Sequence, residues 1–299
     1  MNKNKVIFIV GPTASGKSDM AMSIAKTFDC EIISCDSMQI YKGLNIGTAK
    51  ESDENRQKVK HYLIDVVNFD EEFSVAQFQK LAFEAMDEIW QKGKTPLIVG
   101  GTGLYVESLL KPLSFSNTDK DTAIREQLKN DLEKYGAVEL FRRLSEVDSE
   151  TAKKLSVNDT KRVIRALEIF YKTGKPKSQL QDETQKPNFD YLMIALDMDR
   201  ALLYERINKR VDNMIMKGLV QEAMSVDNFG YQSMQAIGYK EFKDYNGFNL
   251  FEVTEKIKKN TRNYAKRQLT WFRRYKEANW INAFDELTAS KLVENFLKS

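Results

Sequence analysis

The chain has one histidine, His61, and two cysteines, Cys30 and Cys35, in 299 residues. A single imidazole excludes a histidine-rich metal centre and leaves a serine–histidine–aspartate mechanism no base but His61. The two cysteines are too few and too close in sequence for a disulfide framework, which fits a reducing compartment. Long apolar runs are absent too: none approaches the roughly 18 residues that a membrane-spanning helix needs. The amino terminus, MNKNKVIFIVGP, offers no small-residue cleavage site before it enters a glycine loop. No membrane association and a cytoplasmic location are therefore expected. Charge of one sign is scarce as well, with a net of only +3. Its distribution is uneven: Lys256 to Lys276 carries nine Lys or Arg and no Asp or Glu, so the rest of the chain is mildly acidic.

What is present alternates in period. Short apolar runs at Val6 to Val10, Glu31 to Cys35, Tyr62 to Val67, Pro96 to Gly100 and Tyr191 to Leu196 read as buried strands. Helical patterns separate most of them. In Val75 to Trp90 the residues Ala76, Phe78, Leu81, Ala82, Ala85, Met86 and Ile89 form one broad apolar face. Such alternation predicts an α/β fold, a parallel sheet with helices on both faces. Between about Leu113 and Asn188 the sequence turns charged and helical, with Ala123 to Tyr135, Val138 to Leu144 and Lys161 to Tyr171 as helices and no strand. This stretch reads as a helical insertion, which gives a core of residues 1–115 and 187–299 and an inserted domain of 116–186. Long helices, Arg200 to Met224 and Val253 to Tyr275, follow the last strand.

The sharpest local signal is Gly11-Pro12-Thr13-Ala14-Ser15-Gly16-Lys17-Ser18, which follows the first strand and opens a helix at Ser18. A loop of this kind turns successive N–H groups toward a phosphate at a helix N-terminus. Lys17 adds a full positive charge and Ser18 an oxygen for Mg²⁺. The loop specifies a di- or triphosphate, not hydrolysis of ATP. Three strands end in or contain an aspartate, Asp36, Asp65 and Asp197, and none is marked as the second Mg²⁺-holding carboxylate of an ordinary phosphate-loop hydrolase.

Other segments admit two readings each. Asp36 lies at the carboxyl end of the second strand, where open α/β sheets place ligand-contacting groups, and an aspartate there also serves as a helix cap. Gln39 has the amide pair that suits an adenine edge, or is a surface glutamine. Gly100-Gly101-Thr102-Gly103 ends a strand and starts a helix, so Thr102 is expected to face the crevice of the phosphate loop, unless the glycines only make a tight turn. Arg206 and Arg210 share a helical face and can clamp an anion, with Arg210 the stronger candidate. With Glu205 and Asp212 nearby they also fit a solvated ion-pair helix. Thr261 to Arg274 interleaves Arg262, Lys266, Arg267, Arg273 and Arg274 with Tyr264, Trp271 and Phe272. The rings can stack on unstacked bases or form the buried stripe of an amphipathic helix.

In order along the chain, GPTASGKS, ISCDSMQIYKGLNIGTAK, HYLIDV, VGGTGLY, NDTKRVIRALEIF, RVDNMIMKGLVQEA, AIGYKE and TRNYAKRQLTWFR resemble the tRNA dimethylallyltransferase (isopentenyltransferase) family over nearly the whole length. The resemblance implies a nucleotide-kinase-like phosphate-loop core with a helical tRNA-gripping insertion. It also implies transfer of a dimethylallyl group from dimethylallyl diphosphate to N6 of the adenosine 3′ of a tRNA anticodon, with Mg²⁺. On that basis Asp36 is the general base, and Lys17, Thr102 and Arg210 complete the reaction site. The phosphate loop Gly11 to Ser18 holds the diphosphate. Contacts to tRNA are expected from Asp36, Ser37, Met38, Gln39 and Thr102, and from Arg125. They are also expected from the stretch Lys161, Arg162, Val163, Ile164 and Arg165, and from Gln235, Ala236, Ile237, Gly238, Tyr239 and Lys240. Eukaryotic members often append a zinc finger, and no Cys or His follows His61, so a compact bacterial type acting as a monomer is expected. Two other readings keep the phosphate loop: a small-molecule kinase, which leaves the basic aromatic helix without a role, and a non-catalytic RNA-binding switch.

Overall fold

The computed structural model describes residues 4–111, 121–180 and 187–299. The chain divides into two compact units, one of Met1–Leu110 with Pro187–Ser299 and one of Lys111–Lys186. The expected domain boundary at 115–116 lies outside the described residues, as does residue 186.

The larger unit begins β1 (Lys5–Val10), α1 (Lys17–Thr27), β2 (Cys30–Ser34), α2 (Asp53–Lys58), β3 (His61–Tyr62), α3 (Val75–Gln91), β4 (Thr95–Gly100) and α4 (Gly103–Leu110). The smaller unit holds α5 (Thr122–Val147), α6 (Ser149–Ala152), α7 (Thr160–Thr173) and α8 (Lys177–Leu180). The chain then returns through β5 (Asp190–Asp197), α9 (Arg200–Met216), α10 (Leu219–Met224), α11 (Leu250–Phe272), β6 (Asn279–Asn282) and α12 (Glu286–Lys298).

The six strands form one sheet in the order β3-β2-β4-β1-β5-β6, every pair parallel. β1 sits inside it, with Ile9 opposite Val99 and Ile194. Side chains of a strand alternate between faces, so Val6, Phe8 and Val10 enter one core with Phe78, Met86 and Phe272. Ile7 and Ile9 enter the other with Ile24, Ile207 and Val293. Both faces are covered, which is why these strands read as continuous apolar runs. The carboxyl ends of β2, β4 and β1 point their loops to one edge, where Asp36, Gly101 and Gly11 follow each other across the sheet.

Two expected elements differ. The run Tyr62 to Val67 is not a strand beyond Tyr62, because Leu63 and Asp65 take φ of 61° and 57°, which an extended strand cannot hold. Asp65 instead pairs with Lys50 at 2.6 Å and Arg56 at 2.9 Å. The helix expected from Arg200 to Met224 is broken at Gly218, whose φ is 99°.

In the smaller unit, Leu128, Leu140, Leu144, Val163 and Leu167 build a separate core. The chain breaks helical geometry at Gly136, φ 80°, between the two halves of α5. Cys30 and Cys35 are free, buried thiols. Among the described residues no helix is long and apolar enough to cross a membrane.

Candidate active site

The phosphate loop is held from two sides. Gly16 takes φ 90° as it turns the chain into α1, a conformation that favours glycine. The Thr13 amide donates to Gln268 Oε1 at 2.8 Å, and Gln268 Nε2 donates to the Gly101 carbonyl at 3.0 Å. One buried glutamine of α11 therefore ties the loop after β1 to the loop after β4. On the other side, Arg206 Nε of α9 donates to the Ala14 carbonyl at 2.9 Å. Lys17 folds back on the Pro12 carbonyl at 2.7 Å.

Two cavities meet here. The first, about 440 Å³, is lined by the phosphate loop with Lys17, Ser18, Asp36, Arg206 and Arg210. The second, about 290 Å³, has a more apolar wall that includes Met38, Val211, Met214, Ala236, Ile237 and Ile257. Thr13, Asp36, Arg210 and Tyr264 line both, so these four side chains form the passage between them.

Charges in the passage act on one another. Burial, then the neighbouring Arg210 cation, pushes the Lys17 ammonium down to about 7, and the Asp36 carboxylate opposes this. Burial also lowers Arg210, against the pull of Asp36. The Tyr264 phenol is pushed above its ordinary range by burial first and by the Asp36 charge second. Asp36 Oδ1 accepts from the Met38 amide at 2.9 Å, and this fixes the carboxylate in the loop after β2. The arrangement can hold a diphosphate at one end and a flat apolar group at the other, with a proton acceptor between them.

Comparison with known proteins bears on which reaction uses this geometry. The family model described as IPP transferase matches residues 39–275. A tRNA dimethylallyltransferase of Acetivibrio thermocellus is 47% identical, over 98% of this chain and 96% of that protein. The chain belongs to the IPP transferase family. Among solved structures, the tRNA isopentenylpyrophosphate transferase of Bacillus halodurans superposes with a TM-score of 0.73 at 40% identity, covering 99% of this chain and 97% of that one. A eukaryotic dimethylallyltransferase acting on tRNA gives 0.84 at 30% identity, covering 98% of this chain and 77% of that one. The core is the phosphate-loop fold of this family.

The other expected positions of the IPP transferase site lie as follows. Thr102 lines neither cavity; its hydroxyl accepts from the Ser37 amide at 3.1 Å, which positions the loop carrying Asp36. Gln39 lines the first cavity rather than standing with Ser37 and Met38 on the second. Its amide already engages Ser34 Oγ at 3.1 Å and the Thr48 and Ala49 carbonyls at 3.4 Å. Tyr239 is fully buried, and its hydroxyl donates to Glu222 at 2.6 Å. That carboxylate also accepts from the amides of Asn45, Ile46 and Gly47, so Tyr239 holds the loop beside Thr48 and its ring offers RNA no surface. Ala236 and Gly238 are buried, whereas Gln235 and Lys240 are exposed.

In the helical unit, Val163 and Ile164 belong to the core and Lys161 and Arg162 to the surface. Arg125 and Arg165 both bind the fully buried Glu168, at 2.6 and 3.0 Å. Their guanidiniums therefore fasten α5 to α7, which the sequence pattern did not reveal. On α11 the second reading of the aromatics applies to Phe272, which is fully buried, while Trp271 packs on Gly103 beneath the Arg274 guanidinium at 3.9 Å. The sequence pattern singles out neither Gln268 nor Glu222, and it marks Tyr264 only as a ring for base stacking or a buried stripe. Helical spacing places Gln268 four residues from Tyr264 on one face, a signal that a polar residue on a buried stripe could have supplied.

Proposed function

We propose that this chain transfers a dimethylallyl group from dimethylallyl diphosphate to N6 of the adenosine immediately 3′ of the anticodon in tRNA, releasing diphosphate. The observation that carries the reading is the passage: Asp36 and Arg210 stand where a phosphate-loop cavity opens into an apolar one. The names of relatives 40% identical or more, a tRNA dimethylallyltransferase and a tRNA isopentenylpyrophosphate transferase, support this choice of substrates.

In the proposed reaction the diphosphate lies against the loop amides, Lys17 and Arg206, and the target adenine enters from the second cavity after leaving its stack. N6 attacks the allylic carbon as the carbon–oxygen bond to the diphosphate breaks. The N6 proton goes to Asp36, a carboxylate held in place by the Met38 amide. Arg210 and Lys17 stabilise the charge that grows on the departing diphosphate. Thr102 and Gln268 act through the loops they hold. Among the described residues no cluster of three or more His, Cys, Asp or Glu is arranged for a metal. Mg²⁺ needs fewer, since it keeps several waters and takes one or two protein oxygens beside substrate phosphates. Ser18, in the cavity of the phosphate loop, fits that demand, and the ion would supply further positive charge to the diphosphate.

The test is transfer of radiolabel from dimethylallyl diphosphate to an anticodon stem-loop with adenosine at that position, with Mg²⁺ and without ATP. Label on that adenine is the expected result. Bound RNA that stays unlabelled, or a requirement for ATP, overturns the reading.

A further inference from the structure

A third cavity, about 330 Å³, opens beside the second and shares Gln235 and Lys240 with it. Its wall includes Lys240, Lys243 and Lys256 with Phe229 and Asn260. Some lysines of this unit have counterions: Lys258 pairs with Asp212 at 2.8 Å and Glu255 at 2.9 Å, and Lys92 with Glu31 at 3.0 Å. Among the described residues Lys240, Lys243 and Lys256 form no ion pair. The one carboxylate that lines the cavity among the described residues, Glu241, is buried and already accepts from the Gly238 amide at 2.8 Å and from Asn260 Nδ2 at 2.7 Å. Three lysines therefore line one concave surface that stays net positive. An anion relieves the repulsion among them, and the wall shared with the apolar cavity fixes where that anion belongs.

We propose that this cavity binds a backbone phosphate of the RNA strand next to the nucleotide that enters the passage, with Lys243 and Lys256 as its main contacts. The inference rests on the RNA-modifying reading above. A polyanionic strand running past the second cavity meets Lys240 at the shared wall and the other two lysines beyond it. Such contacts carry no base information; they set the register that brings one adenine to Asp36.

Binding of a fluorescent anticodon stem-loop is measured across a salt series for the wild-type chain and for the double variant Lys243→Gln, Lys256→Gln. A control, Lys26→Gln with Lys80→Gln on α1 and α3, removes the same net charge elsewhere. The double variant is expected to bind roughly tenfold more weakly, with a salt dependence of log K shallower by about one to two. Its turnover at saturating RNA stays at the wild-type level. Equal affinity and slope in the double variant and the control overturn this inference and leave prenyl transfer standing. A wild-type chain that binds RNA with these properties but transfers nothing keeps the inference and removes the reaction.

Discussion

Among the described residues Asp36 is the only carboxylate that lines both cavities of the passage, and it faces two cations, Lys17 and Arg210. Asp36→Asn keeps the size and the acceptor for the Met38 amide but removes the basic oxygen. Transfer is expected to fall about 10²- to 10⁴-fold while stem-loop binding changes little, read by single-turnover labelling beside a binding titration. Equal loss of both would mean that Asp36 serves the loop instead of the proton. Lys17 gives a pH prediction. In the free protein burial and Arg210 hold its ammonium at about 7, and a diphosphate against the loop raises it again. Below that value Lys17 is charged in both states; above it, binding must take up a proton, so affinity for dimethylallyl diphosphate weakens as pH rises. Calorimetry at pH 8 in buffers of different ionisation enthalpy measures that uptake. Lys17→Arg, which stays charged, should lose it. Undiminished uptake in that variant would place the proton on another group.

The elements divide by how local their causes are. β1, β2, β4 and β5 were legible because burial on both faces leaves an apolar run, and α3 because its apolar residues recur at helical spacing; the structure adds a capping box of Ser74 and Gln77 at its start. β6 was not, since in Asn279–Asn282 only Ile281 is buried and an edge strand needs no more. Lys17 and the loop around it could be found because the motif itself is local. Gln268, Tyr264 and Glu222 matter through partners far away in sequence, which composition and spacing do not encode. The approach of α4 to α11 shows the same long-range dependence. A Cβ on Gly103 would lie 2.2 Å from the Trp271 ring, so the helices meet closely only because that side chain is absent. Gly103→Ala is expected to destabilise the larger unit by about 1–3 kcal/mol, as overpacking does. In a Trp271→Ala background the penalty should largely vanish, a coupling that a double-mutant cycle by urea denaturation resolves. Additive effects would show that α4 and α11 yield without cost.

At the scale of the whole molecule, stability is not one quantity. The sheet carries two cores on its two faces, and the helical unit of Lys111–Lys186 carries a third that shares no residue with them. Local opening follows such cooperative units. Glu168 anchors the third core: its fully buried carboxylate takes Arg125, Arg165 and the Asp121 amide at 2.9 Å. Burial alone would raise its pKa, yet the hydrogen bonds from Arg125, Asp121 and Arg165 hold it below the usual glutamate range. A depressed carboxylate stabilises the fold at neutral pH and loses that contribution as pH falls through its folded value. Glu168→Ala leaves two guanidiniums beside an apolar core, but both are about a quarter exposed and can turn to water. The expected cost is therefore about 2–4 kcal/mol, near the lower side of a broken buried pair. Hydrogen exchange should quicken across residues 121–180 while the amides of β1, β4 and β5 keep their protection, and diphosphate binding should persist with RNA binding weakened. Faster exchange in the central strands as well would mean that the two units unfold as one and that the separate core does not act separately.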